Sequence, residues 1–398
     1  MLVDYTDNGE RAKLLKNVKR VVVKVGSRLL MDVDGVSARQ RVTELVKEIA
    51  VLRERGLEVI LVTSGAVATG MELLKTKVRP KSMASKQAHA AVGQCELMGL
   101  YESASSAQGF HCAQLLLTAA DLHDQERHLC VSECLASLLS VGALPVINEN
   151  DSVCVDEIKV GDNDTLSAMV SSLIRADLTI LLTTIDGMRE RDMKTGTLGR
   201  RLSVVRELDS ELLAMAQGTD GNRFSVGGMI TKLHAADMVT RSGEGLLIAD
   251  GFDFGVLPKI FAGEDVGTLF LPARKMRMHA HQRYLAFFAE PKGELIVDRG
   301  AAAAVEKKGK SLLPGGILGL RGVFQRGDTV RILNVEREEI ARGQVNFSHV
   351  ELSLICGAQA TELEALLGHA PEAEEAVHRD HLVVTAMGGA RSCGTGGA

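Results

Sequence analysis

The composition of this 398-residue chain is typical of a globular protein with two or three domains. Its net charge of −5, with no Trp and only 3 Tyr, argues against a basic nucleic-acid scaffold with aromatic stacking platforms. No apolar run reaches the roughly 20 residues of a membrane-spanning helix, and the mixed-charge N-terminus has no apolar signal core. The seven cysteines form no CxxC pair, so we expect reduced thiols in a cytoplasmic protein.

Strand-like and helix-like segments alternate through the first two thirds of the chain. The apolar run at 21–25 precedes a helical pattern at 38–55, in which Ser37 and Gln40 fit a capping box and Gly56 fits the stop. Further strands are predicted at 58–63, 113–118, 144–150, 178–184 and 245–251. This alternation predicts an α/β fold with a mostly parallel sheet sandwiched by helices. Because ligands bind beyond the carboxyl ends of such strands, the residues there are the candidates for chemistry.

A second module begins near residue 290, where short strands and glycine turns become frequent. Strands are predicted at 293–300, 315–322, 328–333 and 339–347, and a helix at 360–368. We therefore predict an α/β domain at 19–275 and a small, mainly-β domain at 291–383. The tail at 387–398 has five glycines in twelve residues and is expected to be disordered.

Several common motifs are excluded. The GKS at 309–311 resembles the end of a Walker loop, but Ala304 occupies the position where that motif needs glycine. No G-x-G-x-x-G follows a predicted strand, which disfavours a dinucleotide-binding fold.

Two strand ends carry groups suited to an anion. Lys24 lies within an apolar strand, where an ammonium is costly unless it meets an anion, and Gly26 lets a ligand approach the backbone. Ser64 follows the next strand and precedes a glycine and a helix, which together offer a hydroxyl and backbone N–H groups. The alternatives are an edge-strand lysine that reaches solvent and ordinary helix capping by Ser64.

An acidic segment lies at 148–164, between a predicted strand and a helix. One or two helix caps would not explain its density of polar groups, which suits an ammonium group, Mg²⁺ or lysines that need orienting. The residues are Asn148, Glu149, Asn150, Asp151, Asp156, Glu157, Asp162, Asn163 and Asp164.

Lys232 lies in the first turns of a helix that glycines open, where the helix dipole disfavours a cation. A bound phosphate would reverse that penalty, although a solvated surface lysine is the simpler alternative. Two lysines, two glycine-rich strand ends and an acidic segment together predict phosphoryl transfer. That reaction needs cations along the path of the phosphoryl group and accurate positioning of the reactants.

The segments that carry these groups resemble, in the same order, the glutamate 5-kinases of the amino acid kinase family. The matching segments are 21–27, 62–70, 85–94, 145–153, 157–168 and 227–237. Segments of the second module resemble the PUA domain of those enzymes, at 293–305, 311–317 and 324–328. The similarity extends from about residue 19 to about residue 383 and does not cover the first eighteen residues.

The resemblance implies ATP-dependent phosphorylation of the γ-carboxylate of L-glutamate to γ-glutamyl phosphate, the first step of proline biosynthesis, with ATP and Mg²⁺. It implies that Lys24 and Lys232 flank the transferred group and that Asp164 holds both lysines. The implied substrate-binding residues are Ser64, Asp151, Asn163 and Asp162. The implied nucleotide-binding residues are Lys24, Gly26, Thr183, Thr184, Val226, Gly227, Gly228, Met229, Ile230, Thr231 and Lys232. No protein side chain is assigned as a metal ligand.

Three positions depart from the family pattern. Thr184 occupies a position where the family usually has Asp, Val226 one where it has Thr, and Arg28 one where Ser or Thr is common. The first two concern contacts with the nucleotide and leave the lysines and the acidic segment unchanged.

The resemblance also implies partners. L-proline is expected as a feedback inhibitor, glutamyl phosphate reductase as an associated enzyme, and further copies of the chain in a homo-oligomer (dimer or tetramer). No membrane partner is expected, and RNA binding by the PUA-like domain is left open.

One alternative function is that of another amino acid kinase, acting on acetylglutamate or aspartate. The acidic segment favours a substrate with a free α-ammonium group over an N-acylated one. The other alternative is an RNA-binding regulator acting through the PUA-like domain, which would leave the clusters around Lys24 and Lys232 without a purpose.

Overall fold

A computed structural model describes residues 5–33, 35–153, 162–191, 197–209, 212, 228–273 and 277–385. The chain divides into two compact units, Met1–Arg277 and Met278–Ala398. No helix in the described ranges is long and apolar enough to cross a membrane. The glycine-rich tail that was predicted to be disordered lies outside the described residues.

The first unit alternates strands and helices as predicted. Its strands are β1 (Arg20–Val25), β2 (Glu58–Val62), β3 (Cys112–Leu117), β4 (Leu144–Glu149), β5 (Leu178–Thr183), β6 (Arg189–Arg191), β7 (Leu198–Arg201), β8 (Val204–Val205), β9 (Gly245–Asp250) and β10 (Thr268–Phe270). Its helices are α1 (Glu10–Leu15), α2 (Ala38–Glu54), α3 (Ala66–Leu73), α4 (Met83–Ser106), α5 (Ala119–His123), α6 (Gln125–Ser140), α7 (Asn163–Ile174), α8 (Met229–Ser242) and α9 (Val256–Phe261), with a 3₁₀ turn at Ser27–Leu30.

Within the described residues, one large sheet has the strand order β3-β4-β2-β1-β5-β9-β10-β8. Its pairs are parallel apart from β9 with β10, which is antiparallel. The central strand β1 places Lys24 between Val62 of β2 and Leu181 of β5. The apolar run in β1 is fully buried, as expected for a parallel sheet covered on both faces. The predicted fold class is confirmed.

Helix α2 shows how local signals set the element boundaries. The Ser37 hydroxyl accepts a hydrogen bond from the Gln40 N–H at 3.2 Å, which caps the first turn. Gly56 follows the helix with φ 84, a conformation that side chains disfavour. The predicted apolar face is buried against the sheet, through Val42, Leu45, Val46, Ile49 and Leu52.

Helices α3 and α4 approach each other to backbone contact. A Cβ atom added at Gly93 would lie 1.9 Å from the carbonyl oxygen of Ala66, and one added at Gly70 would lie 1.9 Å from that of His89. Any side chain at either glycine would therefore force the two helices apart. The contact fixes α4 relative to α3, the helix that follows Ser64.

The N-terminal segment is attached to the far end of the sheet through a buried arginine. Arg11 of α1 has no exposed surface and donates to the carbonyl oxygens of Val266 (2.8 Å), Ser203 (3.1 Å) and Gly267 (3.3 Å). The Val204 N–H in β8 also donates to the carbonyl of Tyr5 at 2.9 Å. These bonds replace the hydration that a buried guanidinium and buried carbonyls lose.

The second unit is mainly β, as predicted. Among its described residues, β11 (Gly293–Val297), β12 (Ile317–Gly322), β13 (Thr329–Leu333), β14 (Glu339–Val345) and β15 (Val377–Val384) form a sheet in the order β12-β11-β13-β14-β15. Its helices are α10 (Ala280–Arg283), α11 (Arg299–Lys308), α12 (His349–Ile355) and α13 (Leu363–Leu367), with a π turn at Tyr284–Phe288 and 3₁₀ turns at Pro314–Gly316 and Ala360–Glu362. The sequence did not predict α11, α12 or β15. The predicted strand at 293–300 covered the first residues of α11, and polar residues interrupt β15.

Candidate active site

One carboxylate lies between two lysine ammonium groups near the carboxyl ends of the central strands. Lys24 Nζ donates to Asp164 Oδ1 at 2.6 Å, and Lys232 Nζ donates to Asp164 Oδ2 at 3.0 Å. The exposed fractions are 8% for Lys24, 1% for Asp164 and 6% for Lys232. Both lysines are buried and β1 is an inner strand, so the alternatives of an edge-strand lysine at 24 and of a solvated surface lysine at 232 are wrong. Strand β1, helix α7 and helix α8 each supply one member of this trio.

The electrostatics keep Asp164 ionised. Burial raises the pKa of Asp164, but the adjacent ammonium groups of Lys24 and Lys232 outweigh it and lower the pKa from 3.8 to about 2. Because the pKa is lower in the folded state, the carboxylate stabilises the fold fully above about pH 3.8. That contribution is lost as the pH falls towards 2. At neutral pH the carboxylate therefore holds both ammonium groups in place.

Helix α8 begins beside this trio with an uncapped first turn. Its N-cap residue is Gly228, and no side chain in the described part of the chain caps the first turn. Thr231 Oγ1 lies 3.0 Å from Asp164 Oδ2 and 2.9 Å from the Gly228 carbonyl oxygen. Met229 and Ile230 are half-buried in the same turn. Uncapped N–H groups at a helix start suit a phosphate group.

Ser64 and Asn163 form a second polar cluster next to the trio. Asn163 Nδ2 donates to the carbonyl oxygen of Thr63 (2.5 Å), to Ser64 Oγ (2.7 Å) and to Asn148 Oδ1 (3.0 Å). Helix α3 starts from Gly65, with φ 95 and no side-chain cap, so the alternative that Ser64 serves as a helix cap is wrong. Because Asn163 precedes Asp164, the two clusters are joined at the start of α7.

The acidic segment is only partly described. Asp162 caps α7, since its Oδ1 accepts from the Thr165 N–H at 2.8 Å. Its Oδ2 is buried and has no hydrogen-bond partner within the described ranges. Asp151 is half-buried in the turn after β4. Asp156 and Glu157 lie outside the described residues.

The predicted nucleotide-binding residues lie on neighbouring strand ends. Gly26 follows β1 and donates its N–H to the carbonyl of Leu182 at 3.2 Å. Thr183 ends the adjacent strand β5 and is half-buried, while Thr184 is exposed. Because β1 and β5 pair in parallel, Gly26 and Thr183 lie at the same edge of the sheet as Lys24. Val226 and Gly227 lie outside the described residues.

Sequence reasoning gave no role to Gln94. This residue of α4 is buried, and its Oε1 accepts from Asn148 Nδ2 at 2.9 Å. It lies within the segment 85–94 that carried part of the resemblance. A single polar residue on a helix gives no sequence signal for a role, because its neighbours come from a distant strand.

Two families of known proteins match this chain. The model of the amino acid kinase family matches residues 19–250, and that of the PUA domain matches residues 293–367. The glutamate 5-kinases of Syntrophotalea carbinolica and Trichlorobacter lovleyi are each 44% identical to this chain over 374 residues, which are 94% of this chain and 99% of each relative. The glutamate 5-kinase of Geobacter sulfurreducens is 42% identical over 374 residues, 94% of this chain and 100% of that protein.

The chain therefore belongs to the amino acid kinase family, and within it to the family of the glutamate 5-kinases. The resemblance seen in the sequence is confirmed, and the chain is a phosphotransferase with a C-terminal PUA domain.

Proposed function

We propose that this chain transfers the γ-phosphoryl group of ATP to the γ-carboxylate of L-glutamate, the first step of proline biosynthesis. The observation that carries this proposal is the buried trio of Lys24, Asp164 and Lys232 beside the Ser64–Asn163 cluster. The relatives named glutamate 5-kinase support the choice of glutamate as acceptor.

In this reaction a γ-carboxylate oxygen of glutamate attacks the γ-phosphorus. The new O–P bond forms as the bond from that phosphorus to the β,γ-bridging oxygen breaks, and ADP leaves with the electron pair. The carboxylate is already ionised at neutral pH, since the pKa of glutamate is about 4.3, so no general base is required. Lys24 and Lys232 would offset the negative charge on the moving group, and Asp164 would keep both lysines in register.

Substrate and nucleotide would occupy different sides of the trio. Ser64, Asn163, Asp151 and Asp162 would bind the amino acid. The nucleotide would lie along the ends of β1 and β5 and the first turn of α8, with its phosphates at the uncapped N–H groups. The nucleotide-binding residues in this proposal are Lys24, Gly26, Thr183, Thr184, Val226, Gly227, Gly228, Met229, Ile230, Thr231 and Lys232.

The test of this proposal is a coupled assay of ADP release with glutamate, acetylglutamate and aspartate in parallel. We expect glutamate to give the highest kcat/KM. The carboxylates at 148–164 suit a free α-ammonium group, which acetylglutamate lacks, and the relatives named glutamate 5-kinase favour glutamate over aspartate. Faster turnover with acetylglutamate or aspartate would assign the chain to another substrate.

The described residues offer a second assignment for Asp162, to Mg²⁺ instead of to the amino acid; the ion would be bound mainly by the ATP phosphates. The buried Oδ2 of Asp162 has no partner among the described residues, and Mg²⁺ is commonly bound through one carboxylate together with phosphates and water. When bound, the ion would neutralise charge on the β- and γ-phosphates.

We predict that Asp162→Asn raises the Mg²⁺ concentration needed for half-maximal activity by about tenfold, the equivalent of one lost charged contact. The measurement is a Mg²⁺ titration at saturating ATP and glutamate. Asp209→Asn is a suitable control, because Asp209 also accepts a backbone N–H, that of Leu212, but belongs to neither cluster. A raised glutamate KM with unchanged Mg²⁺ dependence would place Asp162 in the amino acid site instead.

We also propose feedback inhibition by L-proline at the glutamate site. Proline carries the α-carboxylate and ammonium that the acidic segment would bind, but it has no γ-carboxylate to phosphorylate. We expect proline to raise the KM for glutamate and leave kcat unchanged, and Asp151→Asn to weaken both ligands together. Initial rates at several proline concentrations test this; a fall in kcat at saturating glutamate would point to a separate proline site.

The two modules are proposed as domains at 19–275 and 291–383, with chemistry confined to the first. A homo-oligomer is supported by two exposed apolar side chains, those of Leu129 in α6 and of Val141 after it. The acyl phosphate product is labile, which would favour association with glutamyl phosphate reductase, the enzyme that consumes this product.

The free cysteines Cys95, Cys112, Cys130, Cys134 and Cys356 support a reducing, cytoplasmic setting.

RNA binding by the PUA domain is supported by an open pocket of about 430 Å³ whose lining has three arginines and two glutamates. Arg321, Arg331 and Arg337 line it together with Glu294 and Glu339. Guanidinium groups at such a surface suit phosphates of a nucleic-acid backbone.

A further inference from the structure

Gln94 is a buried amide side chain that the proposed reaction leaves without a role. It lies on α4 next to Gly93, whose close contact with α3 fixes this part of the helix. Its Oε1 accepts a hydrogen bond from Asn148 Nδ2 at 2.9 Å. Its Nε2 is buried and has no hydrogen-bond partner among the described residues. The orientation of the Gln94 amide is therefore set by Asn148, because the flipped amide would turn a donor towards another donor.

Asn148 is held at both ends of its amide. Its Oδ1 accepts from the backbone N–H of Glu149 at 2.9 Å and from Asn163 Nδ2 at 3.0 Å, and its Nδ2 donates to Gln94. A backbone N–H can only donate, so Glu149 decides which end of the Asn148 amide faces Asn163. Gln94 pairs with the other end and thereby holds the Asn148 side chain in place beside Asn163.

The amide of Asn163 is also held in one orientation by its hydrogen bonds. Because its Nδ2 faces Asn148, Thr63 and Ser64, the donor side of the Asn163 amide is committed to the protein. The acceptor side is thereby directed away from these groups. A carbonyl oxygen held in this way suits the ammonium group of an amino acid.

We propose that Gln94 is a positioning residue for the amino acid site, acting through Asn148 on Asn163 and Ser64. The proposal rests on the proposed function, since it assigns Asn163 to the amino acid substrate. Gln94 does not touch the transferred phosphoryl group in this arrangement, so its effect falls on binding of the amino acid rather than on the chemical step.

The test is Gln94→Met, which keeps the length of the side chain and removes the acceptor. We expect the KM for glutamate to rise about tenfold, the equivalent of one hydrogen bond, while kcat and the KM for ATP stay within about twofold. Gln94→Asn, which retracts the amide by one methylene, is made alongside, and either folded variant gives the answer. A glutamate KM within about twofold of wild type in a folded variant would overturn the proposal.

Two controls on the same helix separate positioning from stability. Leu97→Val reduces a buried apolar side chain, and Ser105→Ala removes a buried hydroxyl that has no partner in the described part of the chain. Both should leave the KM for glutamate unchanged even where Tm falls. A KM that followed Tm across all these variants would show that Gln94 is merely structural.

A double-mutant cycle tests the proposed path. In an Asn148→Ser background, Gln94→Met should add little to the KM for glutamate, because the link to Asn163 is already absent. Independent, multiplicative effects would show that Gln94 does not act through Asn148. Wild type is assayed first: failure to phosphorylate glutamate would refute the proposed function, whereas normal turnover with an unaffected variant would refute only the role of Gln94.

Discussion

Replacement of Lys24 or Lys232 by alanine is expected to lower kcat by about 10²–10³, equivalent to roughly 3–4 kcal/mol of lost transition-state stabilisation. Both ammonium groups are buried, so their interaction with developing charge is only weakly screened by water. Most of that charge develops as the phosphoryl group moves, so the KM for glutamate should change much less than kcat. Steady-state kinetics on each purified variant measure both parameters.

Lys47→Ala is the matched control for the lysine variants. Lys47 is half-exposed on α2 and pairs with Glu44 at 2.8 Å, an exposed ion pair of small energetic value. The kcat of the Lys47→Ala variant should equal that of wild type. Near-normal kcat with a raised KM in the Lys24 or Lys232 variants would show that these lysines bind substrate without assisting transfer.

Asp164→Asn is expected to lower kcat to a similar extent and also to destabilise the fold. The amide cannot balance two ammonium groups within 3.0 Å of it, so the lysines would repel each other and move. Loss of one partner from a buried ion pair typically costs about 3–5 kcal/mol. The thermal unfolding temperature and kcat should therefore both fall. Both are measured on the same preparation of the variant.

Asp177→Asn provides the comparison for stability. Asp177 accepts from the N–H groups of Lys19 and Arg20, at the end of β1 opposite to Lys24. This variant should lose stability and keep its kcat. If Asp164→Asn lost stability but retained kcat, the role of Asp164 in holding the lysines for catalysis would be wrong.

The central sheet and the trio could be predicted because their signals are local. The apolar run of β1 indicates a strand buried on both faces, and a lysine inside that run requires an anion wherever the chain places it. The density of acids at 148–164 similarly exceeds what helix capping needs. Lys24 and Lys232 were thus singled out before their contacts were known. Asp164 was one of nine residues in the acidic segment, and the resemblance implied its pairing with both lysines; the catalytic roles stay a prediction.

Other features depend on distant segments and give no local signal. Gln94 is one polar residue on a long helix. Its contact with Asn148 forms only in the folded protein, where β4 lies next to this helix. The contact of Gly70 and Gly93 requires the packing angle of two helices, which periodicity does not specify. Helix α11 was missed because the predicted strand at 293–300 was continued past the true end of β11 at Val297, where Asp298 caps the helix.

The attachment of Arg11 bears on where this protein can be shortened. A version starting at residue 18 would retain the whole segment that matches the kinase family, which begins at residue 19. It would nevertheless remove the guanidinium that binds the carbonyls of Ser203, Val266 and Gly267, and the buried side chain of Leu15. The short strands β8 and β10, which form the far edge of the sheet, would lose their contacts with the N-terminal segment. The start of detectable similarity is therefore a poor guide to the smallest stable form of this enzyme.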